Sequence, residues 1–101
     1  MVKHIILWKL KDSLQGVERQ TVLENIKSGL EGLVGKVPGL LDVHVQIAGR
    51  IDTSNADVML DCTLTDEASL RGYAVHPAHV AVANTYVRPY TEVRTCLDYE
   101  N

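Results

Sequence analysis

The first ten residues contain large apolar side chains at both parities. In the segment 2–10, one parity holds a valine, an isoleucine, a tryptophan and a leucine, and the other holds Ile5 and Leu7. A strand with one solvated face alternates apolar and polar residues, whereas a strand covered on both faces is apolar at both parities. The pattern therefore predicts a first strand over residues 2–10 that is buried on both faces.

After position 22 the apolar residues recur at steps of three and four, which is one stripe of an amphipathic helix. The stripe consists of Leu23, Ile26, Leu30, Leu33 and Val37. Asp12 or Ser13 is a candidate N-cap residue in front of the helix, and Pro38-Gly39 stops it. Three glycines interrupt the stripe, and each costs about 1 kcal/mol relative to alanine. They are tolerated if another backbone packs closely there, or if the helix ends early.

Two later segments, 40–49 and 57–65, alternate apolar and polar residues and predict half-buried strands. A second helix begins after Thr65 or Asp66, either of which is a suitable N-cap residue. It meets a proline at position 77, resumes, and ends near position 86. The segment 87–100 predicts a last strand, which has its only proline near the beginning.

The predicted order is β-α-β-β-α-β, which is the ferredoxin-like α+β arrangement, in one domain over residues 1–101. Right-handed crossovers give the strand order 4-1-3-2 in a four-stranded antiparallel sheet with both helices on one face. The other face is then bare, and a second subunit is the simplest cover for it. We therefore expect a homodimer through the sheet face. Cys62 and Cys96 lie about 9–10 Å apart across the first strand, beyond disulfide reach, so both are expected to be reduced.

Composition and charge exclude several classes of partner. The 101 residues are 46% apolar and carry a formal charge of −3, with no basic cluster. Binding to nucleic acid requires a concentrated positive patch, so no nucleic-acid partner is expected. No apolar run approaches the ~20 residues that cross a bilayer, and the apolar stretch at the N-terminus is too short for a leader. No membrane association is expected, and the cytoplasm is the default location.

The segment GYAVHPAHVAVAN (72–84) carries the candidate chemistry, with Tyr73, His76 and His79 three residues apart. A proline costs about 3 kcal/mol inside a helix and little at its first position. The helix is therefore predicted to break at His76, which becomes a cap, and to restart at Pro77. His79 then lies in the first turn, where the positive end of the helix dipole disfavours an imidazolium. A neutral His79 beside the Tyr73 phenol forms a candidate general acid–base pair.

Two other interpretations of this segment stay open. The tyrosine and histidines can instead satisfy backbone groups that the proline leaves unpaired. A metal site is the third interpretation, but helical histidine pairs that bind zinc are usually four residues apart, not three. Asp57 and Asp61 are also a pair, more typical of a solvated or interfacial face than of a cation site. No metal site and no cofactor are therefore expected. His4, on the first strand, is a further candidate, or a hydrogen-bonded core histidine.

Three segments together resemble the stress-responsive dimeric A/B-barrel (Dabb) domain family: MVKHIILWKLKD at the start, PGLLDVHVQ after the first helix, and YAVHPAHVAVA late in the chain. The resemblance covers essentially the whole chain in the right order. It implies a ferredoxin-like subunit, two of which pair through their sheets to form a dimeric α+β barrel.

The same resemblance implies a candidate pocket between the helices and the sheet. One member of the family is a cofactor-independent polyketide cyclase whose catalytic tyrosine and histidine match Tyr73 and His79, and whose supporting histidine matches His4. A further pocket histidine of that enzyme corresponds to Val58 here. The implied activity is acid–base chemistry on a small apolar or carbonyl ligand. His76 and Trp8 are candidate ligand contacts, and Trp8 is alternatively a core residue.

The family leaves two alternative functions open. Many members are stress-associated proteins with no known reaction, which suggests a non-enzymatic structural or assembly protein. Related dimeric α+β barrels include cofactor-independent monooxygenases and lactone isomerases.

Overall fold

The computed structural model describes residues 1–101 and contains one sheet and a layer of helices. The elements, in chain order, are β1 (Val2–Leu10), α1 (Arg19–Glu31), β2 (Leu40–Gln46), β3 (Val58–Leu64), α2 (Glu67–Val75), α3 (Pro77–Val82), a single π-helical turn (Ala83–Val87) and β4 (Thr91–Glu100).

The four strands form one antiparallel sheet in the order β2-β3-β1-β4, which confirms the predicted ferredoxin-like topology. β1 is central and pairs with β3 on one side and β4 on the other. Close to the end of β1 the pairing with β4 shifts register between Lys9 and Leu10. There the Asp57 carboxylate accepts a hydrogen bond of 2.8 Å from the Leu10 N–H, which satisfies a backbone group that the irregularity frees.

The two faces of β1 differ in burial. Its even-numbered residues point towards the helices and are buried, whereas on the opposite face Ile5 is half-buried and Leu7 is 41% exposed. We call this opposite side of the sheet the open face, and its apolar side chains include Ile5, Leu7, Met59, Leu97 and Tyr99. The expectation that β1 is covered on both faces is therefore not met within one chain. The helices are too few to cover more than one side.

β4 is an edge strand of ten residues whose side chains are almost all exposed. Leu97 is 62% exposed and Tyr99 43% exposed, and both lie on the open face. An edge strand this long, with apolar residues on it, is a template for pairing with another chain. The open face and the β4 edge thus form one continuous unpartnered surface.

The start of α1 differs from the prediction, and its early end is one of the two alternatives that the glycines left open. Neither Asp12 nor Ser13 caps it, because Gln15 and Gly16 follow them at φ 57° and 79°, values that no helix contains. The helix begins at Arg19 after an extended Glu18, whose side chain makes no capping hydrogen bond. It also ends early, at Glu31. The last members of the apolar stripe lie in the turns that follow and are still buried.

The predicted break between α2 and α3 is confirmed. Asp66 caps α2 by accepting a hydrogen bond of 2.8 Å from the Ser69 N–H. His76 is extended, at φ −63° and ψ 133°, and its Nδ1 accepts a hydrogen bond of 3.1 Å from the Ala78 N–H. Pro77 occupies the first position of α3, where its missing N–H has no consequence.

Both cysteines are free thiols: Cys62 is buried and Cys96 is exposed. β1 lies between the strands that carry them. None of the helices combines the length and the hydropathy that spanning a membrane requires.

Gly39 lies in the tight connection between α1 and β2, at φ 78°. A Cβ at this position would lie 2.1 Å from Ser69 Oγ and 2.5 Å from Ser69 Cβ. Gly16 has a similar φ of 79°, but a Cβ there would meet nothing within 4 Å.

We predict that Gly16→Ala lowers the free energy of unfolding by about 1–2 kcal/mol, the cost of the left-handed conformation alone. Gly39→Ala should cost about 1–3 kcal/mol more, because overpacking is added.

Urea denaturation of both variants and the wild type measures this difference. Equal losses of stability in the two variants would contradict the close packing of Gly39 against α2.

Candidate functional site

A cavity of about 180 Å³ lies between the helices and the middle of the sheet, and ten of its sixteen lining residues are hydrophobic. His4, Trp8, Tyr73 and His79 line it together. A buried apolar cavity of about 150 Å³ is large enough to bind benzene. The space is therefore suited to one small ring or a short branched chain.

Tyr73 lies on α2 and is only 1% exposed. Its ring centroid is 4.3 Å from that of His79, with the two ring planes tilted by 40°. Its hydroxyl group is buried and has no hydrogen-bond partner. Burial, together with the neighbouring Cys62 thiol, raises the pKa of Tyr73 well above its ordinary value. The phenol is thus a neutral donor that makes no hydrogen bond within the chain.

His79 lies on α3, and its imidazole is held in one tautomer. Its Nδ1 is 3.3 Å from the carbonyl oxygen of Ala74, which can only accept a hydrogen bond, so Nδ1 carries the proton. Nε2 is then left with a lone pair. Burial lowers the pKa of His79 below 6.5, and the nearby Arg88 guanidinium contributes further. The lowered pKa favours the expected neutral form, and its main cause is burial.

His4 lies on the helix-facing side of β1 and is 6% exposed. Its Nδ1 is hydrogen-bonded to the carboxylate of Asp98 on β4, so the proton of the neutral ring is on Nδ1 and the lone pair on Nε2. Its ring meets that of Tyr73 edge-on, with 5.9 Å between centroids. The structure therefore brings Tyr73, His79 and His4 into one group around the cavity.

The two expected ligand contacts lie in different places. Trp8 lines the cavity and is 6% exposed. His76 does not line it: the histidine lies in a shallow groove on the far side of α2, where it caps α3. The sequence spacing placed His76 with the other two, but the extended backbone at this residue turns its side chain away.

The two aspartates that sequence analysis considered as a pair have separate partners. Asp57 forms ion pairs with Arg19 and Arg50, both at 3.1 Å. Asp61 pairs with Lys3 at 2.6 Å on the open face. The two carboxylates have different cationic partners, so they do not form a shared site.

Sequence analysis missed the polar residues that β4 contributes. Arg94 lines the cavity, and Cys96 and Asp98 lie on the same side of the strand, next to His4. Alternation of these residues with Leu97 and Tyr99 is a period-two signal that is visible in the sequence. It shows which residues share a face, but not that this face looks towards the histidines.

The arrangement provides two neutral groups of opposite hydrogen-bonding character in an apolar cavity. His79 Nε2 can accept a proton, and the Tyr73 hydroxyl can donate a hydrogen bond. Arg88 and Arg94, also in the lining, can bind an anionic group of a ligand. No cofactor is required for chemistry of this kind.

Comparison with protein families finds one match. The model of the family described as stress responsive A/B barrel domain (Dabb) matches residues 2–101. No curated protein matches this sequence.

Solved structures share the fold over nearly the whole chain. A dimeric protein of unknown function with a ferredoxin-like fold from Bacteroides fragilis has a TM-score of 0.87 at 29% identity, and the match covers 99% of this chain and 95% of that one. The hydroxynitrile lyase from Passiflora edulis has a TM-score of 0.77 at 17% identity, covering 97% and 90%. SnoaB, a cofactor-independent oxygenase from Streptomyces nogalater, has a TM-score of 0.72 at 11% identity, covering 99% and 91%. The last two comparisons show the fold alone.

Tyr73→Phe separates a structural role from a functional one. A tyrosine hydroxyl that supports the fold costs about 0.5–1.5 kcal/mol when it is removed, through the lost hydrogen bond. The Tyr73 hydroxyl is buried without a partner, so we predict that Tyr73→Phe leaves the free energy of unfolding unchanged or raises it. Tyr73→Ala, which empties the ring volume, should lower it by about 3–5 kcal/mol. Chemical denaturation measures both, and a loss above 1 kcal/mol in Tyr73→Phe would assign the hydroxyl to the fold.

Proposed function

We propose that this chain, which belongs to the stress responsive A/B barrel domain family, forms a homodimer and performs cofactor-independent acid–base chemistry on a small carbonyl compound. Residues 1–101 form its single domain. Its activity would be of the polyketide cyclase type, in which carbon–carbon bonds form through an enolate.

The observation that carries the proposal is the buried, unpartnered hydroxyl of Tyr73 beside a neutral His79. Burying a hydroxyl without a hydrogen bond costs about 1–3 kcal/mol. A ligand oxygen in the cavity would accept that hydrogen bond and remove the cost. The same oxygen is where negative charge develops when a carbonyl compound becomes an enolate.

The proposed step is proton removal next to the carbonyl. His79 Nε2 takes a proton from the α-carbon, and the electron pair of the broken C–H bond moves through the C–C bond onto the carbonyl oxygen. The Tyr73 O–H donates a hydrogen bond to that oxygen. The enolate carbon then attacks a second carbonyl of the same molecule, and the imidazolium of His79 returns its proton to the new alkoxide.

His4 supports this step through Tyr73. Its ring packs edge-on against the phenol, and Asp98 holds its orientation from the opposite side. Trp8 contributes an apolar wall. Arg88 and Arg94 favour a substrate that carries a carboxylate as well as a ketone.

The homodimer is proposed to form through the open face and the β4 edge. Together these expose large apolar side chains, among them Leu97 at 62% and Leu7 at 41%. A second copy would cover them symmetrically and remove the exposed edge. The dimeric neighbour from Bacteroides fragilis has the same fold at 29% identity, which supports this arrangement. The two free thiols are consistent with a reducing compartment, and we propose the cytoplasm.

The same surface favours a second candidate function, a non-enzymatic protein that acts through its assembly in the stress response. In that case the open face carries the function and the cavity is incidental. Chemistry of the lyase, isomerase or oxygenase kind, as in the related barrels, is a further alternative. The acid–base proposal and the assembly proposal differ in which variants abolish function.

Exchange of α-protons in D₂O tests the chemistry without knowledge of the natural substrate. The probes are acetophenone and para-acetylbenzoate, whose deuteration is followed by NMR. We predict exchange above the buffer rate, and a loss of about 100- to 10,000-fold in His79→Gln. Tyr73→Phe should lose about 100- to 1,000-fold at unchanged stability. Since only neutral His79 accepts a proton, the wild-type rate should rise with pH and level off below pH 7, because the pKa of His79 is lowered.

The matched control is His76→Asn, which keeps a capping side chain and lies outside the cavity. This variant should exchange protons at the wild-type rate. A wild-type rate no higher than that of His79→Gln would disprove the acid–base proposal and favour the assembly function.

Leu97→Asp tests the dimer. We predict that the wild type sediments at twice 11.2 kDa and that Leu97→Asp sediments at 11.2 kDa with its fold intact, because the residue is 62% exposed in the single chain. Val75→Asp is the control: Val75 is 75% exposed, but it lies on α2, away from the open face. A wild type that stays at 11.2 kDa at micromolar concentration, or equal effects of both variants, would rule out this interface.

A further inference from the structure

Three side chains with metal-binding atoms meet where β1 and β4 run side by side. His4 lies opposite Asp98 in the register, and Cys96 lies two residues before Asp98 on the same face. The ligand atoms of all three lie within 4.8 Å of one another. They comprise a nitrogen, a sulfur and an oxygen, which is a mixed set typical of zinc.

The distances suit a tetrahedral ion. Bonds of about 2.0 Å to nitrogen and oxygen and about 2.3 Å to sulfur place neighbouring ligand atoms about 3.3–3.6 Å apart. Cys96 Sγ is 3.4 Å from Asp98 Oδ1 and 3.8 Å from His4 Nδ1. The third pair, His4 and Asp98, is closer because the two are hydrogen-bonded. A rotation of the Asp98 side chain, which is 42% exposed, would open that gap.

Charge and access also suit a divalent cation. A neutral imidazole, a thiolate and a carboxylate carry two negative charges, which balance a 2+ ion. Cys96 and Asp98 are exposed, so the ion can enter from solvent, while buried His4 holds its position on the central strand. Among the charged residues that face the cluster, Arg94 opposes a cation and Glu100 on the same side of β4 favours one.

We propose that His4 Nδ1, Cys96 Sγ and an Asp98 carboxylate oxygen form a zinc site with a fourth position open to water. Three protein ligands and an open position are typical of catalytic and not of structural zinc. The proposal requires only these three side chains and does not rest on the acid–base chemistry of Tyr73 and His79. It also departs from the sequence expectation, which considered a metal at His76 and His79 and at Asp57 and Asp61 and expected none.

Binding would change the protonation of two ligands. Cys96 loses its thiol proton to solvent as the sulfur–zinc bond forms. His4 uses the Nδ1 lone pair, so the proton that Nδ1 donates to Asp98 is lost there and Nε2 is protonated instead. One proton per ion is therefore released overall. The His4 ring, which has an acceptor at Nε2 without metal, would present a donor with metal bound.

Titration of the untagged protein with zinc tests the site. Isothermal calorimetry in two buffers of different ionisation enthalpy should give one ion per chain and about one proton released. Cobalt(II) should produce the near-ultraviolet charge-transfer band of a thiolate–cobalt bond. We predict that Cys96→Ser abolishes this band and weakens zinc binding by more than about 100-fold, beyond the 10- to 100-fold loss that follows removal of an outer-sphere contact.

The chain offers a matched control in its only other cysteine. Cys62→Ala should keep the band and the affinity, because Cys62 is buried on β3 and is not among the three ligands. Asp98→Asn is a second ligand variant, which keeps the test valid if circular dichroism shows that Cys96→Ser is misfolded. It should weaken zinc binding at least tenfold. Binding that is absent from the wild type, or unchanged in both Cys96→Ser and Asp98→Asn, would overturn the proposal. None of these measurements detects proton exchange, so the zinc proposal and the acid–base proposal can be disproved independently of each other.

Discussion

The break in the helix at Pro77 determines the geometry of the candidate site. Proline has no N–H to donate and its ring excludes a continuous helix, so α2 ends at Val75 and α3 begins in a new direction. Tyr73 stays at the end of the first helix and His79 enters on the second. Their rings approach to 4.3 Å over the cavity. On an unbroken helix, residues six apart would lie about 9 Å from each other along the axis.

The single layer of helices gives the two faces of the sheet different roles. The helix-facing side of β1 carries the buried residues and His4, while the opposite side carries Ile5 and Leu7. Because side chains alternate along a strand, residues of one strand serve both purposes without competition. The candidate site and the proposed dimer interface can therefore change independently, on β1 as well as on β4. On β4, Asp98 lies on the side of the candidate site and Leu97 lies on the open face.

Burial is the common cause of the unusual chemistry in the cavity. It lowers the pKa of His79, raises that of Tyr73, and raises that of Cys62 to about 12. In each of the three groups the shift favours the neutral form. An imidazole in water would be partly protonated and would compete with solvent for any substrate proton. In the cavity, burial favours the neutral form of His79, and the hydrogen bond to the Ala74 carbonyl favours the tautomer with a lone pair on Nε2.

The sequence by itself determined the elements and their order. Hydrophobic periodicity identifies β1 and Pro77 identifies the break at His76, because these signals depend on neighbours close in the chain. The strand order followed from the element order and the right-handedness of crossovers. The sequence also identified Tyr73 and His79 as candidate site residues. Only the tertiary structure decided that α1 begins at Arg19, that His76 turns away, and that Asp98 and Cys96 join His4 from more than 90 residues away. Such contacts depend on strand register and on which face each strand turns inward, and local pattern carries neither.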